Sequence, residues 1–219
     1  MYNPVSILHT VEKMEKHVFD TAVFTLGTNH VYVERTTGEI VDNCRKRPQR
    51  LFEERELTVE ECTGALHESV LLLRKNNPGI KVILTVSPIR YAKYGYHGSR
   101  LSKAVLLLAA DRLVKELDET AYYFPAYEIV NDELRDYRFY KPDMLHPSDQ
   151  TVDYIWERLV EACFSAEAKV FLEAWRPVKA ALGHRPFHPG SEAYRDFLEK
   201  TKEAARTLKK KYPDMELDL

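Results

Sequence analysis

Apolar residues recur at two periods along this chain, and the alternation between those periods lays out its architecture. Val5, Leu8, Val11, Met14 and Val18 fall on one side of a helix, which predicts one over residues 5–18. Residues 21–26 form a short apolar run closed by Gly27, the pattern of a buried strand. The stretch 31–43 alternates and breaks at Thr37-Gly38, predicting a hairpin, whereas 44–57 is polar and reads as a loop. Thr58-Val-Glu-Glu61 is a capping box, and Cys62, Ala65, Leu66, Val70 and Leu73 carry the helical stripe behind it to a stop at Asn76-Asn-Pro-Gly79. A second buried strand is expected at 81–86, a Gly- and Tyr-rich loop up to Ser99, a helix at 101–117, and a third short strand at 121–124 broken by Pro125.

Strand and helix alternating three times is the signature of a parallel sheet with crossover helices, so the expected class is α/β with about three core strands. A helical turn is expected over 127–134. Pro147 suits the first turn of a further helix whose stripe is Val152, Ile155, Trp156, Leu159, Val160 and Cys163. Beyond Phe164 the period is helical only, over 169–182 and 191–210, with GHRPFHPG between. The expected division is therefore an α/β domain at 1–164 and a helical appendage at 165–219 packed on it.

Composition narrows the function classes. With 32 Lys+Arg against 34 Asp+Glu, the net charge gives no argument for nucleic acid or an acidic membrane. The one basic run, Arg45 to Arg50, leads into Glu53, Glu54 and Glu56 and reads as a solvated loop. Three cysteines without CxxC spacing argue against a disulfide framework or a zinc site, and Cys62 and Cys163 fall on helical stripes as core thiols. No apolar stretch approaches the roughly 20 residues needed to cross a bilayer, and the N-terminal residues are amphipathic, so a cytoplasmic location is expected.

Chemistry is most explicit at KPDMLHPSDQTVDYIWERL, where Asp143 stands three residues before His146 at a loop-to-helix junction. A carboxylate so placed can accept the imidazole Nδ1–H, fix the tautomer and leave Nε2 free to take a proton from a nucleophile. On spacing alone a turn-capping aspartate and a surface histidine remain the commoner case. In parallel sheets functional groups gather at the carboxyl ends of strands, which here are Gly27-Thr-Asn-His30, Ser87-Pro-Ile-Arg90 and the loop of Asp143 and His146. Gly27 lets backbone approach a ligand and the Asn29 amide could donate to an oxyanion, although a purely structural Gly-Thr-Asn turn explains them as well.

Several segments together carry a resemblance: FTLGTNHVY, ILTVSPIRY, GSRLSKAVLLLAADRL, the long run from Ala121 to Leu159, and HRPFHPGSEAYRDFL. They resemble the GSCFA-domain family, which is related to the SGNH, or GDSL-like, hydrolases. That resemblance implies a Ser-His-Asp ester hydrolase or acyltransferase without metal or organic cofactor, acting on a small-molecule or saccharide-linked ester. Asp143 and His146 match the family's Asp-x-x-His. Gly27-Thr28-Asn29 is similar to the Gly-x-Asn-Asp turn that supplies an oxyanion donor, with His30 in place of the second acid. Arg90, Ser102 and Lys103 lie in family-typical segments without an implied role.

The Gly-Ser-Cys-Phe-Ala segment that bears the family's nucleophile has no counterpart here, and Asn3-Pro-Val-Ser-Ile7 resembles a stretch that follows the family's second strand. The expected fold is thus an incomplete SGNH-hydrolase, flavodoxin-like sheet. Near-inactivity of the chain alone is expected with it, and neither Ser87 nor Ser148 is well placed as a substitute nucleophile. It also leaves strand 21–26 on an edge, apolar as a central strand would be, and predicts self-association through it. The alternative is a non-catalytic binding module using Arg90, His97, Arg138 and His146.

Overall fold

The structure, a computed structural model, describes residues 3–14, 18–42, 44, 46–213 and 215. The first helix, α1 (Pro4–Lys13), opens on Asn3, whose side-chain oxygen accepts the Ser6 N–H at 2.9 Å while Ser6 Oγ accepts the Asn3 N–H at 3.1 Å. Pro4 occupies the first turn, where its missing donor costs nothing. The helix caps at Met14, short of the predicted Val18; residues 15–17 lie outside the described residues.

After β1 (Thr21–Leu26) come β2 (His30–Glu34), β3 (Ile40–Val41) and β4 (Phe52–Glu56), the last three forming a small antiparallel sheet in the order β3-β2-β4. The predicted hairpin is β2 and β3, turning at Gly38 with φ +74. Strand β4 stands where the pattern predicts a loop. Only Phe52 of β4 is buried, and the strand is held through its backbone ladder with His30–Glu34 rather than through an apolar face.

Helix α2 (Val59–Asn76) begins at the expected capping box: Thr58 Oγ1 accepts the Glu61 N–H at 3.2 Å and the Glu61 carboxylate accepts the Thr58 N–H at 2.8 Å. It leads to β5 (Lys81–Val86), then α3 (Gly95–Glu116), which starts earlier than the predicted 101 because the Gly- and Tyr-rich stretch is itself helical. Next are β6 (Ala121–Tyr123) and a single turn, α4 (Ala126–Glu128), which widens into a π-helical turn over Ile129–Leu134 and stops on Arg135 at φ +49. Then follow α5 (Asp149–Cys163), α6 (Ala166–Leu182) and α7 (Glu192–Lys211).

The parallel sheet has the order β1-β5-β6, with Ala22 opposite Val82 and Val82 opposite Ala121. Burial of Leu26, Val82, Leu84 and Val86 from the strands, Leu66 and Val70 from α2, and Leu106 and Leu113 from α3 makes one apolar core. The fold is α/β as the pattern predicts, with a helical C-terminal part.

β1 occupies an edge of this sheet. The carbonyls of Leu26 and of Asp20, the residue just before the strand, accept from the N–H groups of Ser87 and Lys81, so the even-numbered residues address β5 and Thr21, Val23 and Thr25 turn their backbone groups outward. An apolar groove of about 780 Å³ follows that edge, lined by Ile7, Val11 and Met14 and by Ala22 and Phe24.

The chain divides into two compact units, 1–156 and 157–219, the boundary falling inside α5. Of the expected α5 stripe, Val152 is 55% and Trp156 47% exposed. Cys163 is exposed too, which corrects its reading as a core thiol, whereas Cys62 is buried and burial pushes its thiol up to about 12. In the second unit α6 and α7 pack together, with Phe171 meeting Tyr212 edge-on at 4.8 Å and Val178, Thr201 and Ala205 buried. Among the described residues no helix is long and apolar enough to cross a membrane.

Candidate active site

The turn over residues 141–146 closes on itself before α5 begins. The Lys141 N–H donates to the His146 carbonyl at 2.7 Å and the Met144 N–H to the Lys141 carbonyl at 2.8 Å, while Met144 takes a left-handed φ of +59. Asp143 organises the interior of this turn. Its Oδ1 accepts from the N–H groups of Leu145 at 2.9 Å and His146 at 3.0 Å, and its Oδ2 lies 2.6 Å from His146 Nδ1. The capping and the triad-like readings of Asp143 are therefore one geometry. One oxygen caps the turn and the other holds the ring.

That arrangement fixes the chemistry available. Because the carboxylate faces Nδ1, the proton belongs on Nδ1 and Nε2 is left as the basic atom. Both side chains remain accessible, His146 at 55% and Asp143 at 44%. The backbone N–H of His146, then that of Leu145, then the His146 ring hold the Asp143 carboxyl down to about 2. A carboxylate depressed in this way contributes to the turn above its unfolded midpoint near 4 and loses that contribution as pH falls toward 2. Carbon-detected NMR titration should accordingly find the Asp143 midpoint near 2. In His146→Ala most of the depression should survive, since the two backbone donors act first; return to an ordinary midpoint in that variant would refute the order of causes.

Arg90 ties the turn to the end of β5. Its N–H donates to the Leu145 carbonyl at 3.1 Å and its Nη1 to the Met144 carbonyl at 3.3 Å, with the guanidinium 4.0 Å from the centre of the Tyr140 ring and 5.2 Å from that of Tyr137. Cation–π contact and hydrogen bonding together fix a side chain that sequence leaves without a role. The signal was the Ser87-Pro-Ile-Arg90 segment at a strand's carboxyl end.

Gly27 and Asn29 sit at the carboxyl end of β1 and are bonded to α3 and to the start of α2. Asn29 is 1% exposed, its Nδ2 donates to the Leu57 carbonyl at 2.8 Å and its N–H donates to Ser102 Oγ at 3.0 Å. The Gly27 carbonyl accepts from Lys103 Nζ, and Lys103 itself is 2% exposed. Neither Gly27 nor Asn29 is hydrogen-bonded to the Asp143–His146 turn. Asp143 and His146 are thus brought together, while Gly27 and Asn29 form a separate buried knot with Ser102 and Lys103.

His30, where the resembled motif has an acid, is also buried. Its ring stacks on Tyr94 at 3.6 Å between Glu54 and Glu56, and its pKa is lowered, burial first and Lys93 with it outweighing the pull of Glu56 and Glu54. Of the other named residues, Arg138 pairs with Asp136 at 3.1 Å and His97 is exposed on α3. Ser148 caps α5, its Oγ 3.0 Å from Thr151 Oγ1, and Ser87 Oγ accepts from the Ile89 N–H at 3.3 Å. Among the described residues no hydroxyl or thiol is hydrogen-bonded to His146 Nε2.

No curated protein matches the chain. The family described as GSCFA matches residues 1–159, and the GSCFA domain protein C-terminal domain matches 175–219. The first match covers α1 through most of α5, including Arg90, Asp143 and His146, and on that extent the chain belongs to the GSCFA family.

Proposed function

We propose that the chain carries the base-and-orienter part of an SGNH-like ester hydrolase or acyltransferase acting on a small-molecule or saccharide-linked ester. The observation that carries this reading is the 2.6 Å contact of Asp143 Oδ2 with His146 Nδ1, which leaves Nε2 exposed and basic. A serine hydroxyl delivered to Nε2 gives up its proton there as Oγ bonds to the ester carbonyl carbon. Asp143 stabilises the imidazolium, which then returns the proton to the departing alkoxide as the C–O bond breaks. Water repeats the sequence on the acyl-serine.

The serine is the open part. The family's Gly-Ser-Cys-Phe-Ala segment is not found among these residues, and within this proposal the nucleophile comes from such a segment. Asn29 belongs to the proposal as an oxyanion donor only through the Nδ2 hydrogen that Leu57 does not take. The second reading, a non-catalytic binding module on the same scaffold, is favoured by the burial of Asn29, whose amide is bonded to the Leu57 carbonyl rather than to the Asp143–His146 turn.

Hydrolysis of 4-nitrophenyl acetate by the chain fused behind a family Gly-Ser-Cys-Phe-Ala segment separates the two. His146→Ala should lower that rate by about 10²–10⁴-fold, the usual contribution of a positioned general base. Equal rates with and without the imidazole would remove His146 from the mechanism and leave the binding module.

A further inference from the structure

A cavity of about 240 Å³ lies between the end of β5, the first turns of α3 and the π-helical turn, and Arg90, which bonds to Met144 and Leu145, stands in its wall. Arg90, Arg100 and Lys103 line it, with Tyr127, Asn131 and Tyr137 among its other walls, and no carboxylate does. Among the described residues, none of the three cations has a carboxylate within ion-pair distance, and Lys103 is the one of them that is buried. Two guanidiniums line this concavity with no carboxylate to offset them, and charging the Lys103 amine, almost wholly removed from water, is costly besides. An anion entering the cavity relieves both costs.

We propose that this cavity is an anion subsite that receives a carboxylate or phosphate group carried by the substrate. The proposal rests on the esterase reading in one respect: Arg90 places the subsite against the residues preceding His146, so the anion and the ester belong to one molecule. Each member has a distinct part. Arg100 is exposed on α3 and is the cation available to draw the anion in. Arg90, held by the Met144 carbonyl and by contact with the Tyr140 and Tyr137 rings, offers its remaining guanidinium donors in a set orientation. Lys103, held by the Gly27 carbonyl and the face of Tyr91 with no carboxylate beside it and pulled down to about 7 by burial, gains its proton back when a negative charge arrives.

Isothermal titration of the full chain with inorganic phosphate, and separately with acetate, tests the subsite without turnover. Binding of either anion is expected, its relative strength identifying the class of group. Arg100→Gln and Lys103→Met should each weaken it by about tenfold or more, as loss of one charge-assisted hydrogen bond does. His146→Ala should bind as the parent does, so failure of the esterase reading leaves this result intact. Absence of binding in the parent, or unchanged affinity in both Arg100→Gln and Lys103→Met, would overturn the proposal. Arg100 is on the surface, so its variant keeps the fold even where Lys103→Met repacks.

Discussion

Lys103→Met should make the protein more stable, by roughly 2–4 kcal/mol at pH 6.5. The side chain is 2% exposed, and burial takes its pKa from an ordinary 10.5 to about 7. A fall of that size corresponds to roughly 5 kcal/mol of penalty on the charged form, from which the orphaned Gly27 carbonyl of the variant takes back about 1–3 kcal/mol. The sign with pH follows from which state holds the proton. Unfolded, Lys103 keeps it up to about 10.5; folded, it releases it near 7, so between these values the unfolded chain binds more protons and the unfolding free energy rises with pH. Parent stability should therefore climb from pH 7 to 9.5 while the advantage of Lys103→Met shrinks. Urea midpoints of both proteins at pH 6.5 and 9.5 measure this, and an identical offset at the two values would sink the argument.

Asn29→Asp should lose more than about 3 kcal/mol at pH 7, despite changing only one amide nitrogen to oxygen. In the fold Nδ2 donates to the Leu57 carbonyl, joining the end of β1 to the residue before the α2 cap. A carboxylate there sets oxygen against oxygen in a site 1% exposed. The charged form is disfavoured, so the folded carboxyl is raised above its unfolded value. The folded state then binds the proton more tightly, and the loss is largest at neutral pH and diminishes as pH falls toward 4, where a carboxylic O–H can donate to Leu57. Thermal midpoints at pH 4.5 and 7 check both parts. If Asn29 kept its amide free for a reacting carbonyl, the swap would barely move the midpoint at pH 7.

How far the sequence led depends on the kind of interaction. Capping residues and stripes are local, and Thr58 with Glu61, the core strands and the helices behind them were legible for that reason. β4 was not, since Glu53 to Glu56 are exposed and the strand exists by pairing with β2 across a distant stretch of chain. The first turns of α3 were hidden by Gly95 and Gly98, which read as loop residues until tertiary contacts outweigh propensity. Asp143 and His146 were readable because three residues separate them. Arg90 was readable only as the end of the Ser87-Pro-Ile-Arg90 segment; its tie to the turn was not, because its partners at Met144 and Leu145 are more than fifty residues away.

The edge position of β1 divides its amides into two populations along a strand of six residues. Ala22, Phe24 and Leu26 donate and accept within the β5 ladder, whereas Thr21, Val23 and Thr25 present theirs to the groove. Solvent exchange should therefore follow two clocks in one strand. The inward amides wait for the sheet to open, and the outward ones need only water at the edge, so protection alternates residue by residue until a neighbouring strand covers the outer set.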